Sequence, residues 1–315
     1  AETPHPALAV GTVRHVGDPV AFVVADTIQA ARDAAEAVEV DYDPLPSVTD
    51  LATATEPGRP QVWEDAANNT CFDWEAGDKA EADALFARAA HVTALTVVNN
   101  RIVVSSMEGR ACLAEYDAGQ EKFTLRAGTQ GSWSVKGLLA KAIFNVAPEK
   151  VRVVTHDVGG GFGMKLFLYA EYVLTLYAAR ALGRPVRWAA ERSEAFLSDT
   201  HGRDNVTTGE LALDADGKFL ALRTRNLANM GAYLSNYGPF IPCAAGTKVL
   251  ASVYDFGAIH ANVIGVLTNT VPVDAYRGAG RPESNYVVER LIDAAAAELG
   301  IDRIELRRRN IVPPS

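Results

Sequence analysis

Four glycines fall within the five residues Gly159 to Gly163, between a short apolar run (VRVVT, 151–155) and a long one (Leu166 to Leu182). Glycine lacks the Cβ that confines other residues to negative φ, so a chain passes through such a run as a sharp turn. The flanking runs read as a short buried strand and a buried helix. The stretch DVGGGFGMK (157–165) is therefore a strand–loop–helix joint, whose amides and helix start form a natural anion cradle. Two nucleotide loops fail on spacing: Met164, not glycine, precedes Lys165, and G-x-G-x-x-G counted from Gly159 or Gly161 ends on Met164 or Leu166. Taken alone, a plain structural turn is the simpler reading.

Two other loops have the same strand-to-helix position. In VDAYRGAGRPE (273–283), Arg277 and Arg281 flank two glycines, and Pro282 is at a helix start. Two fixed charges beside open amides suit a phosphate or oxo group, against the alternative of a turn with solvated arginines. In AGTQGSW (127–133), Gln130 offers an amide that can donate to an oxo ligand, although most loop glutamines face water.

Composition narrows the partners. The 315 residues carry 30 Lys and Arg against 39 Asp and Glu, a net charge of −9, which argues against duplex nucleic acid. Cys71, Cys112 and Cys243 are far apart, with no C-x-x-C or Cys/His spacing for zinc or an iron–sulfur cluster. An odd, sparse count fits a reducing compartment, and a cytoplasmic location is expected. The six histidines show no metal-ligand spacing, and His156, His201 and Arg203 are ambiguous polar-loop residues. Glu108 is a candidate buried carboxylate, bonded to backbone amides rather than acting as a base. AETPHPALAV is not a secretory signal, and the missing initiator methionine fits trimming. Leu166 to Leu182, interrupted by Glu171 and Arg180, is short for a bilayer span.

Along the chain, residues 12–25 read as two strands about Gly17-Asp18-Pro19, followed by a helix over Thr27 to Val38 and a strand over Val38 to Tyr42. Residues 49–60 have linker composition, and residues 68–78 read as loop, followed by a helix over Lys79 to Ala90. Strands follow from His91, with a helix from Ser132 to Phe144. Further strands run from Asn205 to Val273 with a hairpin at Asp214 to Gly217, and a last helix spans Glu283 to Leu299. The fold class is α+β with mixed sheets. Too few βαβ units alternate for a nucleotide-binding dehydrogenase.

GTQ (128–130), GGGFGMK (159–165) and AYRGAGRPE (275–283), in this order, resemble the molybdenum hydroxylase family of xanthine dehydrogenases, aldehyde oxidoreductases and aerobic carbon monoxide dehydrogenases. GDPVAFVVADTIQAARDAAEAVEVDYDPLP resembles the family's hammerhead domain, and ELRRRNIVPPS the end of its first cofactor domain. The resemblance implies a partial hammerhead domain over 1–52 and a first molybdopterin-binding domain over 53–315. It implies a molybdenum–molybdopterin cofactor, expected in the cytosine dinucleotide form, with iron–sulfur clusters and FAD on partner subunits or domains.

By position in the family motifs, Gln130, Gly160, Gly161, Phe162, Gly163 and Arg277 would line the cofactor, none ligating the metal directly, and Leu166, Gly278 and Ala279 the substrate pocket. Purine-oxidising members carry glutamate where Leu166 stands and phenylalanine where Ala279 stands. Their upstream arginine has no counterpart between Pro239 and Ser252, which holds only Lys248. Copper-dependent members carry cysteine where Gly278 stands. The expected substrate is an aldehyde or N-heteroaromatic ring. The general-base glutamate and most dinucleotide contacts are expected from a second cofactor domain or subunit, without which this chain is expected to be inactive. The alternative is a non-catalytic module that retains the loops as turns.

Overall fold

Two β-sheets organise the computed structural model, which describes residues 2–313. Ala1 and the closing Pro314 and Ser315 of the ELRRRNIVPPS stretch lie outside the described residues. The larger sheet contains β1 (Thr70–Gly77), β2 (His91–Asn99), β7 (Asn205–Leu213), β8 (Phe219–Gly231) and β9 (Ala258–Leu267), in the order β1-β9-β8-β7-β2. Its pairings are antiparallel except β8 with β9. The smaller sheet contains β3 (Ala111–Asp117), β4 (Lys122–Ala127), β5 (Val151–Val154) and β6 (Val186–Ala189), in the order β5-β4-β3-β6, with β4 and β5 parallel. The chain is α+β, as its sequence implies.

Alternation along β7 sends Leu211 and Leu213 to one face of the larger sheet and Ala212 to the other. The leucines pack on α6 (Arg281–Leu299) and the alanine on α2 (Lys79–Ala87). Helix α6 begins after Gly280 at φ +89° and stops at Gly300 at φ +64°, with Pro282 in its first turn. A final helix, α7 (Arg303–Asn310), follows. The smaller sheet packs on α3 (Ser132–Leu138), which widens into a π-type turn over Leu139–Ile143, and on α4 (Ala170–Leu182).

Beneath the smaller sheet's core is a fully buried guanidinium. Arg110 donates to both oxygens of Glu171, at 2.7 and 3.0 Å, and to Asp199 at 2.5 Å. The guanidinium lies 3.7 Å above the Tyr169 ring. Burial of three charges is tolerable because each is paired and Ser198 Oγ accepts a further N–H of the fork.

Several sequence expectations are corrected. Residues 12–25 and 38–42 form no ladder: Val13, Val16, Val20, Val24, Val38 and Val40 are exposed, and no described strand lies beside them to accept their alternation. The helix between them, α1 (Ile28–Glu36), forms behind its Thr27 cap. The linker-like stretch is packed, with Leu51 and Ala54, and Val48 just before it, buried against β8 and β9. Residues 70–77 are an edge strand rather than a loop, because β9 supplies one side of the ladder. Strand β6 and helix α5 (Arg192–Ser198) were not anticipated.

Candidate functional site

The three glycine-bearing loops meet at the junction of the two sheets. Gln130, in the turn between β4 and α3, donates its backbone N–H to the Lys165 carbonyl at 2.9 Å. Its side-chain Oε1 accepts the Gly163 N–H at 2.8 Å. An amide held by its oxygen keeps both N–H bonds for another acceptor, and among the described residues the Gln130 NH2 has none.

Two of the glycines are required by this closeness. A Cβ on Gly161 would lie 2.4 Å from Gln130 Oε1, and one on Gly163 would lie 2.3 Å from the Ala275 carbonyl oxygen. Gly161 therefore admits the amide loop and Gly163, at φ +105°, the arginine loop. Between them, Phe162 is left-handed at φ +52°, and its carbonyl accepts the Arg277 N–H at 2.9 Å. Among the described residues, the N–H groups of Gly160, Gly161 and Phe162 find no protein acceptor.

The loop's outer end is anchored by Glu108. Its Oε2 accepts from Gly159 N at 2.8 Å and from the buried Lys165 ammonium at 2.6 Å. The Lys165 bond, with help from Gly159, holds the Glu108 carboxyl below its usual range. The sequence placed Glu108 against backbone amides, and one such bond forms. The side chain is 43% exposed rather than buried, because it reaches Lys165 from outside.

In the second loop, the nearly buried Arg203 donates to the carbonyls of Tyr276 at 3.1 Å and Arg277 at 2.6 Å, and pairs with Glu283 at 3.0 Å. Asp274 accepts from the Tyr237 and Ala275 amides and from Ser235, and burial pushes its carboxyl up. The two predicted arginines separate in role. Arg281 bends back onto the Gly278 and Ala279 carbonyls, whereas the exposed Arg277 lies 5.7 Å from the Phe162 ring. Leu166 is beside the Gln130 turn, 3.6 Å from where a Gly131 Cβ would stand. Gly278 (φ +97°) and Ala279 (φ +41°) follow Arg277 in left-handed backbone.

The helix dipole is displaced from this site. Leu166 ends a 3₁₀ turn, and α4 starts only at Ala170, because Phe167 and Tyr169 enter the core from extended backbone. Loop amides, not a helix start, are the donors here. Sequence reasoning did not single out Lys165, Asp274 or Glu283, which act through buried partners distant along the chain. Behind the arginine loop, Arg203, Asp274, Gly280 and Glu283 help line a separate cavity of about 40 Å³, water-sized rather than substrate-sized.

Comparison with known proteins bears on this geometry. The family model "Molybdopterin cofactor-binding domain" matches residues 62–311, and "Aldehyde oxidase and xanthine dehydrogenase, a/b hammerhead domain" matches residues 1–46. The carbon monoxide dehydrogenase large chain of Hydrogenophaga pseudoflava is 36% identical, over 93% of this chain and 38% of its own length. The 6-hydroxypseudooxynicotine dehydrogenase complex subunit gamma of Paenarthrobacter nicotinovorans is 36% identical, over 98% and 38%. The crystal structure of quinoline 2-oxidoreductase from Pseudomonas putida 86 superposes with a TM-score of 0.91 at 37% identity, over 98% of this chain and 39% of that one. The chain thus spans about two fifths of the length of the relatives it matches.

Proposed function

We propose, from the premise that this chain belongs to the molybdenum hydroxylase family, that its three-loop cleft holds one side of a molybdenum–molybdopterin cofactor. The chain would form part of a catalytic subunit that oxidises an N-heteroaromatic or aldehyde substrate. The observation that carries this reading is the pair of bonds from Gly163 N–H to Gln130 and from Arg277 N–H to the Phe162 carbonyl. These draw together an amide NH2, three backbone N–H groups and the Arg277 guanidinium, none of which has a protein partner among the described residues. Such a donor set suits an oxo-rich, anionic group, and Gly161 keeps the Gln130 amide in this set, since a Cβ there would collide with it.

When bound, that group supplies Lewis-acid activation of water and accepts two electrons from the substrate carbon. The chain's own residues bind and orient. Gln130 donates its NH2 to an oxo acceptor, Gly160, Gly161 and Phe162 present N–H groups, and Arg277 adds a fixed positive charge at the second rim. Gly163 contributes by holding Gln130 in place. The nearby carboxylates are committed, Glu108 to Lys165, Glu283 to Arg203 and Asp274 to its amides. We therefore assign the general base to a residue outside this chain. The isolated polypeptide is then expected to be inactive, and iron–sulfur clusters and FAD on partners carry the electrons away. A domain division near residue 52 and the cytosine dinucleotide form belong to the same proposal. Among the described residues no helix is long and apolar enough to cross a membrane, and a cytoplasmic location is proposed on the unpaired cysteines.

Substrate class follows from the rim. Leu166 and Ala279 supply neither the carboxylate nor the stacking ring of purine oxidation, and Gly278 supplies no thiol for copper. An apolar rim and the quinoline-oxidising relative favour an N-heteroaromatic ring over an aldehyde. The test is to purify the assembled enzyme and measure molybdenum, the released pterin nucleotide, and turnover of quinoline-type rings, aldehydes and xanthine with an artificial acceptor. Metal with ring or aldehyde turnover is expected. Absence of molybdenum would leave a binding module with structural turns.

A further inference from the structure

The sequence shows no metal-ligand spacing among its histidines, yet the fold brings two of them onto one carboxylate. Both His15 Nε2 and His5 Nε2 face Asp18 Oδ1, at 3.0 and 3.8 Å. The three ligand atoms lie within 4.8 Å of one another. The side chains of His15 and Asp18 are 3% and 2% exposed, and that of His5 is 42% exposed, so the cluster is walled on one side and open on the other.

The surrounding hydrogen bonds give each group its orientation. His15 Nδ1 lies 2.9 Å from the Val16 carbonyl, which can only accept, so Nδ1 carries the proton. In a neutral ring this leaves Nε2 as a lone pair aimed at a carboxylate oxygen, which only a proton or a cation between them can reconcile. The other carboxylate oxygen, Oδ2, accepts from the Arg14 N–H at 2.7 Å and the Tyr233 hydroxyl at 3.0 Å. Oδ1 is thereby left for the two imidazoles. The His5 ring is stacked on Tyr233, with centroids 3.9 Å apart and planes 3° from parallel. A proton between His15 and Asp18 engages only one of the two imidazoles, and at 3.8 Å His5 Nε2 makes no hydrogen bond to Oδ1. A divalent cation uses all three.

We propose that His5 Nε2, His15 Nε2 and Asp18 Oδ1 form a binding site for a borderline divalent cation of the zinc type, with one position open to solvent. Ligands at about 2.0–2.2 Å from a tetrahedral ion lie roughly 3.4 Å apart, between the two measured separations. Small adjustments of the half-exposed His5 close the set. The bonds from His15 to Val16 and from Asp18 to Tyr233 and Arg14 are the outer-shell contacts that fix tautomer and carboxylate orientation. The ion would tie residue 5 to residues 15–18, a segment already fastened to the chain leaving β8 by the Tyr233 bond to Asp18 and by Leu234 N–H bonding Thr3 Oγ1 at 2.9 Å. The site shares no residue with the three-loop cleft.

The test is Zn2+ titration by calorimetry of the assembled enzyme after chelation, with Co2+ absorption as the spectroscopic check. One equivalent of Zn2+ should bind, raise the thermal midpoint and be reversed by chelator, and Co2+ should give the intense visible bands of four-coordination. D18N and H15Q should remove that equivalent. Y233F, which keeps all three ligands, should weaken it about tenfold. H5Q, at a half-exposed position where folding is not at stake, should also lose the equivalent and the Co2+ bands. No binding by wild type, or identical titrations for wild type, H5Q and D18N, would overturn the site and leave a His15–Asp18 ion pair. Molybdenum content is measured in parallel, so failure here is distinguishable from failure of the proposed function.

Discussion

At the scale of single residues, the site is controlled by which atoms are already occupied. Gln130 is held at Oε1 by Gly163, and its remaining N–H groups are what a bound oxo acceptor would use. Removing one preorganised donor of this kind costs about 10²-fold in turnover. Q130A is therefore expected to lower kcat by about that factor in the assembled enzyme, with molybdenum content and melting temperature nearly unchanged. Equal losses of metal and activity would instead assign Gln130 to cofactor retention.

His201 makes a different, pH-linked prediction. Burial, followed by the nearby Arg101 guanidinium, pushes its pKa down to about 4. Arg101 donates to Nδ1 at 3.3 Å, so Nε2–H donates to the Phe196 carbonyl at 3.2 Å, and the neutral ring satisfies both. The unfolded chain binds this proton near pH 6.5 and the folded chain only near 4. Stability should therefore fall as pH drops from about 6.5 to 4 and stop responding to this group below that. H201Q should flatten this part of the profile, measured as urea midpoint against pH. Because His201 brackets Val273 through backbone bonds to Pro272 and Asp274, local exchange in the arginine loop should follow the same profile.

Among the elements, the glycine loop is the joint on which the others depend. Gly163 combines a left-handed φ with a 2.3 Å approach to the Ala275 carbonyl. G163A should cost at least roughly 1–3 kcal/mol in denaturant unfolding and separate the arginine loop from Phe162, seen as faster exchange of the Arg277 amide. The sequence made this joint legible because a glycine run between two apolar segments permits little else. It also gave both ends of α6, where Pro282 and Gly300 act locally. It misjudged α4, whose first four expected residues are claimed by a 3₁₀ turn and by the extended Phe167 and Tyr169. It also misread residues 70–77, where Asp73, Gly77 and the preceding Asn68 and Asn69 suggest a loop while β9 provides a ladder. Local signals were reliable where the cause was local and failed where a partner far along the chain decided the outcome.

At the scale of the whole molecule, Arg110 ties the start of β3, the first turn of α4 and the end of α5 into one buried network. Its partners are 61 and 89 positions away, which is why no inspection of neighbouring residues reveals it. R110M should destabilise the fold by about 3–5 kcal/mol, since two carboxylates would remain buried without their counter-charge. Calorimetric or denaturant unfolding would measure this, and a loss under about 1 kcal/mol would show that the fold does not depend on this network.

The seam between the two sheets has one further property. Two of its ties use main-chain atoms alone: Arg277 N–H with the Phe162 carbonyl, and His201 with Pro272 and Asp274. These two ties depend on no side chain, unlike those made by Gln130 and Arg203. A changed side chain that leaves the backbone path undisturbed therefore keeps these two ties, whereas Leu166, which also packs on the smaller sheet's core, and Ala279, at φ +41°, admit fewer replacements.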